Sequence, residues 1–211
     1  MDKVIEKISI NEHSSIRIAG EIIIHFDPFR IKKETNDADI VFVTHAHYDH
    51  FSPEDIEKIC HKDTIFVMPK SMEEEVGECG FTEENTVFME AGDVTSVKGV
   101  TIEAVVSYNV GKPMHPKENG WLGYIVTVDD ITIYVSGDCD AMPEEISCDI
   151  AMIPIGGTYT MNPVEAAEWI NIMNPEIVVP THYGTLVGSY EDADIFEPLV
   201  KKDIRVVRIL G

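Results

Sequence analysis

The run His45-Ala46-His47-Tyr48-Asp49-His50 puts four metal-capable side chains within six positions, directly after the apolar, β-branched stretch Ile40-Val41-Phe42-Val43. Imidazole and carboxylate are ligands for Zn²⁺ and its first-row neighbours. No helix presents all four on one face, because positions one and two apart do not face each other. A loop leaving a rigid strand can turn them toward a common centre. The fold must therefore carry functional loops on strand ends, and the chain reads as a metalloenzyme.

The length of 211 residues and the 44% hydrophobic content suit a single domain spanning 1–211. The formal charge of −22 argues against a protein that grips nucleic acid or anionic membranes, which call for a basic surface. A small-molecule substrate is the expected partner. The N-terminus alternates charged and apolar residues and lacks a signal-peptide core. No apolar run reaches the length of a membrane span. Cys60, Cys79, Cys139 and Cys148 form no C-x-x-C pair. Free thiols and a cytoplasmic location follow as expectations.

Alternation over residues 4–10, 15–18 and 21–26 predicts early strands, the last two turning at Ala19-Gly20. Residues 40–43 form a short apolar run of the kind buried on both faces. Ser52-Pro53-Glu54-Asp55 opens a helix to about His61. A strand over 64–68 and a helix over 71–79 come next, with Gly80 as its left-handed stop. Several short strands are expected between 86 and 106, then a polar loop over 108–120. Residues 122–128 and 131–136 form a hairpin around Asp129-Asp130. A strand over 149–153, a helix capped at Asn162 and running to about Met173, and a strand over 177–179 follow. A helix over 192–201 and a strand over 205–209 close the chain. The pattern is α/β, with metal-capable residues after Val43, Ser136 and Val179.

Asp138 sits in a Ser-Gly-Asp turn after an apolar strand, where a carboxylate could bridge two cations. His182 follows the buried strand 177–179. His115 lies in a proline-stiffened loop, and Asn109, nearer the preceding strand end, competes for the same place. Asp27 either terminates a strand or hydrogen-bonds a ligand histidine. Thr158, Tyr159 and Thr160, just before the Asn162 helix start, are candidate donors to a substrate oxygen. Lys112 and Lys117 are candidate cations for an anionic substrate. Tyr108 and Trp121 form an apolar wall or belong to the core, with core the expectation for Trp121. His13 and His61 read as surface residues, and His25 as strand packing.

The histidine run resembles the H-x-H-x-D-H motif of the metallo-β-lactamase superfamily. Gly137-Asp138 and Thr181-His182-Tyr183-Gly184 follow in the order that superfamily uses. The stretches Asn109-Val110-Gly111-Lys112-Pro113-Met114-His115-Pro116-Lys117 and Gly156-Gly157-Thr158-Tyr159-Thr160-Met161 resemble a branch of uncharacterised metal-dependent hydrolases, similar to the ascorbate-6-phosphate lactonase-like group. The resemblance implies an αββα four-layer sandwich. It also implies two divalent metal ions, zinc first, with manganese or iron as alternatives. His45, His47 and His115 would hold one ion; Asp49, His50 and His182 would hold the other; Asp138 would bridge them. Many members place the third histidine where this chain has Asn109. The implied chemistry is attack of a metal-activated hydroxide on a small ester, lactone or phosphodiester. Asp49 would orient the nucleophile, making Asp49 and Asp138 the catalytic carboxylates. The alternatives are a nuclease of the same superfamily, a di-iron reductase (whose relatives carry glutamate in place of His47), and a non-catalytic metal- or metabolite-binding module.

Overall fold

A computed structural model of the chain describes residues 1–140 and 146–210. The strands β1 (Ile8–Ile10), β2 (Ile16–Ala19), β3 (Ile23–Phe26), β4 (Ile40–Phe42), β5 (Ile65–Pro69) and β6 (Thr86–Met89) form one sheet in sequence order. The second sheet contains β7 (Val94–Val97), β8 (Val100–Val106), β9 (Leu122–Val128), β10 (Ile131–Val135), β11 (Ile150–Pro154), β12 (Ile177–Thr181) and β13 (Arg205–Val206). Its order is β13-β12-β11-β10-β9-β8-β7.

Each sheet is mixed. Strands β1 to β3 pair antiparallel and β3 to β6 pair parallel. Strands β7 to β10 pair antiparallel and β10 to β13 pair parallel. A parallel join needs a crossover, and helices supply three of them. After a short α1 (Asp2–Ile5), α2 (Pro53–Ile59) links β4 to β5, α3 (Pro163–Met173) links β11 to β12, and α4 (Asp192–Phe196) links β12 to β13.

The apolar sequence pattern accounts for the layers. Strand residues buried between the sheets include Ile24, Phe26 and Phe42 from the first sheet and Tyr124, Ile133 and Val179 from the second. Trp169 and Ile170 of α3 and Phe196 of α4 cover the outer face of the second sheet. Ile56 and Ile59 of α2 cover Val41 and Phe66 on the outer face of the first. Central strands therefore bury both faces, which is why residues 40–43 carry no alternation. The result is the four-layer αββα sandwich.

Local expectations hold where a turn or cap residue is specific. Asp129 and Asp130 both have positive φ, 51° and 62°, as a tight hairpin turn requires. Asn162 accepts from the N–H groups of Val164 and Glu165, and Glu165 accepts from Asn162, a complete capping box. Several boundaries differ, among them the last strand, expected over 205–209 but confined to Arg205–Val206. Val4 lies in α1, not in a strand that begins at residue 4. Residues Lys70–Cys79 form tight 3₁₀ turns with a kink at Met72 instead of an α-helix, although Gly80 has the expected left-handed φ of 72°. The helix α4 stops at Phe196 and tightens into a 3₁₀ turn over Glu197–Leu199 around Pro198.

His25 packs inside β3, and burial pushes its pKa down to about 4. The unfolded chain then takes up this proton first as pH falls. Its contribution to stability is complete above about 6.5 and lost by about 4, at most about 3 kcal/mol. Thermal melts of His25→Gln are expected to lose part of the wild-type acid slope across that window. Superimposable acid limbs for the two proteins would contradict this.

Candidate metal centre

Strand directions bring the polar loops to one edge. Strand β3 runs parallel to β4, so Asp27 and residues 44–50 leave the first sheet on the same side. In the second sheet β10, β11 and β12 are parallel, so their following loops carry Asp138, Gly156 and His182 to one side. Strand β8 is antiparallel to β9, which is antiparallel to β10, so the loop after β8 opens there too. That loop contains His115.

The first histidine loop is a compact turn: the N–H groups of His50 and Phe51 both donate to the His47 carbonyl, at 2.9 and 2.8 Å. Its ring nitrogens and carboxylate converge with those of the later loops. His45 Nε2 lies 3.2 Å from His47 Nδ1. Asp138 Oδ2 lies 3.4 Å from His115 Nε2, 3.2 Å from His182 Nε2 and 4.0 Å from His45 Nε2. Its other oxygen, Oδ1, lies 3.3 Å from His50 Nε2. Asp49 Oδ2 lies 3.3 Å from His182 Nε2 and 3.7 Å from His50 Nε2.

These separations suit a shared cation. Ligands about 2.0–2.1 Å from a tetrahedral metal stand about 3.3–3.4 Å from each other. His50 Nε2, His115 Nε2, His182 Nε2 and Asp138 Oδ1 are buried without a hydrogen-bond partner, a costly state that a metal ion relieves. The atoms of His45, His47 and His115 form one compact group, as do those of His45, His50 and Asp138 and those of His13, Asp49 and His182. Asp138 belongs to the second of these groups and also approaches His115 of the first and His182 of the third.

Outer contacts aim the ligands. Asp27 is fully buried; its Oδ1 accepts from the Thr44 N–H at 2.8 Å and its Oδ2 from the Thr44 hydroxyl at 2.7 Å. Asp27 Oδ2 also accepts from His50 Nδ1 at 2.7 Å, which leaves the Nε2 lone pair facing the centre. The Thr44 hydroxyl, its proton given to Asp27, accepts from His45 Nδ1 at 3.0 Å and orients that ring in the same sense. Asp27 thus holds the ring of the candidate ligand His50 and is not a mere strand terminator. Asp27→Asn is expected to weaken metal affinity about 10–100-fold, measured by chelator competition. Unchanged affinity would refute the orienting role.

Burial is the main cause that lowers the pKa of His45 (well below the ordinary value), of His47, and of His115 (to about 4). All three stay neutral at neutral pH, the form that ligates. Burial would also lower His50, but Asp138 and Asp27 on either side raise it well above the usual range. Burial would raise Asp138, yet His182 and His50 hold it well below the carboxylate norm. Asp49 behaves alike: the adjacent His182 ring and the charge of His50 outweigh burial and hold it at about 2. Two ionised carboxylates beside the neutral His45, His47 and His115 rings favour a divalent cation.

The seven residues singled out as ligands in the sequence, His45, His47, Asp49, His50, His115, Asp138 and His182, all reach this centre. Asn109 does not compete with His115. It supports that ring from behind, with its Nδ2 3.3 Å from His115 Nδ1 and donating to the Tyr159 carbonyl at 2.7 Å. Trp121 is half-buried against His45, His47 and His115, with ring centroids 5.0, 4.9 and 5.5 Å away, so it walls the centre instead of filling the core. Thr160 is buried and its hydroxyl donates to the Gly157 carbonyl; Tyr159 lines the cleft. The Asn162 helix start is already satisfied by Glu165.

His13 corrects the sequence expectation. It is fully buried, not on the surface, with its ring centroid 4.5 Å from that of His182. The Leu186 N–H donates to His13 Nε2 at 3.1 Å, so the proton of the neutral ring is on Nδ1, which has no partner. Burial keeps the ring neutral by lowering its pKa to about 4. The hairpin itself held the missed signal. Strand β2 runs antiparallel to β3, so the residues before β2 lie at the edge where β3 ends.

Residues 7–182 match the family described as the beta-lactamase superfamily domain. The UPF0173 metal-dependent hydrolase of Thermococcus kodakarensis is 31% identical, with 95% of each chain covered. That of Pyrococcus horikoshii is 30% identical, also over 95% of each. Among solved structures, a Parabacteroides distasonis protein described as a metal-dependent hydrolase superposes with a TM-score of 0.80 at 28% identity, covering 97% of this chain and 93% of that one. Igni18, a metallo hydrolase from Ignicoccus hospitalis, has the same fold with a TM-score of 0.74 at 22% identity, covering 97% and 95%.

Proposed function

We infer, because the chain belongs to the beta-lactamase superfamily and to its branch of UPF0173 metal-dependent hydrolases, that the cleft at the strand ends performs metal-dependent hydrolysis. The observation that carries this is the convergence of buried, unpartnered nitrogen and oxygen atoms around Asp138. We assign His45, His47 and His115 to one divalent ion, Asp49, His50 and His182 to a second, and Asp138 to both. Residues 1–211 act as one hydrolase domain, since both sheets contribute ligands. Zinc suits the imidazole-rich set, and manganese or iron would also be accepted.

Bound there, two such cations supply an activated water and polarise the oxygen of the scissile group. The chain's own residues do the rest. Asp49, half-buried and facing the cleft, accepts the proton released from the attacking water. Asp27 and Thr44 hold the rings of His50 and His45 against rotation. Tyr159 restricts water at the side of the cleft, and Trp121 packs against the rings of His45, His47 and His115. The substrate is a small molecule with an ester, lactone or phosphodiester bond.

The test is purified protein assayed for metal content and for hydrolysis of an ester, a lactone and a phosphodiester panel. The expected result is about two ions per chain and activity abolished by chelation and restored by Zn²⁺ or Mn²⁺. Protein that binds no transition metal and gains no activity on loading overturns the assignment.

A further inference from the structure

Resting on the hydrolase reading, we propose that the substrate presents an uncharged alkyl or aryl group, which Tyr48, Met114, Tyr159, Leu186 and Val187 select. The cleft over the ligand cluster measures about 340 Å³, near the small end of ligand sites. Apart from the ligand residues, its lining consists of those five apolar or phenolic side chains. Among the described residues no lysine or arginine lines it.

The cations of the neighbourhood are engaged elsewhere. Lys112 Nζ donates to Glu165 at 2.7 Å and to the Thr160 carbonyl. Lys117 lies 5.1 Å from the Tyr108 ring centroid, in a separate groove. Arg30 pairs with Glu12. A chain with a net charge of −22 also repels anions at long range. The two loop lysines that suggested an anionic substrate therefore do not reach one.

Large apolar side chains are left open to solvent around this mouth. Tyr48 is 67% exposed, and Met114, Tyr159 and Leu186 are exposed as well. Clustered exposed apolar groups mark binding surfaces. The wall is also fixed to the ligand cluster. Tyr48 lies within the histidine loop and packs edge-on against Phe29, at 5.9 Å between centroids. Met114 adjoins His115. The Tyr159 carbonyl anchors Asn109, and the Leu186 N–H is held by His13. A hydrophobic group seated there stands next to the reacting bond, so burying it raises transition-state binding.

Metal-loaded protein is assayed with p-nitrophenyl acetate, butyrate and hexanoate, and with bis(p-nitrophenyl) phosphate and p-nitrophenyl phosphate. The expected kcat/KM rises about two- to four-fold per added methylene until the cleft is filled, and exceeds that of both phosphates. Leu186→Lys, at an exposed position, is expected to shift the hexanoate-to-phosphodiester ratio at least about ten-fold toward the anion. Calorimetry with the inert amide N-hexylacetamide gives a readout without turnover: wild type binds it, and Leu186→Lys binds about ten-fold more weakly. Flat chain-length dependence, or preference for either phosphate, overturns the apolar wall while leaving the hydrolase reading intact. Amide binding with no hydrolysis of any substrate overturns the hydrolase reading and sustains the wall. Absence of both overturns both.

Discussion

Asp138→Asn is expected to reduce hydrolysis by about 10³-fold or more and to drop bound metal well below the wild-type content. Four of the histidines lie within 3.2–4.0 Å of the Asp138 carboxylate, and they come from three different loops. The side chain is only 4% exposed, yet its neighbours hold it ionised. Asparagine keeps the shape and removes the charge, and its amide N–H groups would point at nitrogen atoms that need a cation between them. Both proposed ion positions would suffer, because the assignment gives this one carboxylate to both. Metal analysis after gel filtration, with circular dichroism to show retained fold, gives the check. A variant that holds two ions and turns over at the wild-type rate would remove Asp138 from the centre.

Gly156→Ala should displace His182 although residue 156 touches no ligand by its own side chain. A Cβ at 156 would stand 2.3 Å from the His182 carbonyl oxygen and 3.1 Å from Val187 Cγ2. The nearer atom is backbone, so the end of β12 must move or β11 must shift against it. Their register is set up to Pro154 opposite Thr181, and the Ile155 N–H donates to the Thr181 carbonyl at 3.1 Å. The expected cost is about 1–3 kcal/mol of stability. Moving His182 by even an ångström should lower activity about 10²-fold, with the ion assigned to Asp49, His50 and His182 expected to be lost before the other. Gly77 offers the control, since a Cβ there meets nothing within 4 Å. Urea melts and metal titration of both variants decide it: a Gly156→Ala protein as stable, as metal-rich and as active as Gly77→Ala would show that this close approach is immaterial.

Much of the centre was legible in the residues. The H-x-H-x-D-H run, the Gly-Asp turn after β10 and the histidine after β12 are local patterns, each at the end of an apolar strand. A strand end is a good predictor of site position because the loop is short and its direction is set by the ladder. His115 was harder. It lies well beyond the end of β8, and only the folded loop shows that it, not Asn109, faces the other rings. His13 escaped because it precedes a strand instead of following one. Lys112 was misleading for a different reason: its partner Glu165 is 53 positions away.

Ligand chemistry, the order of strands and helices, and the capping and turn residues are local properties, carried by side-chain type, apolar period and backbone preference, so the primary structure specifies them unaided. Which oxygen of Asp138 meets which imidazole, the turn of His13 inward, the removal of the lysines from the cleft and the apolar wall around it depend on contacts between segments far apart in the chain. Their free energies arise only when the two sheets close on a common core, because until then nothing brings those groups within a few ångströms of one another.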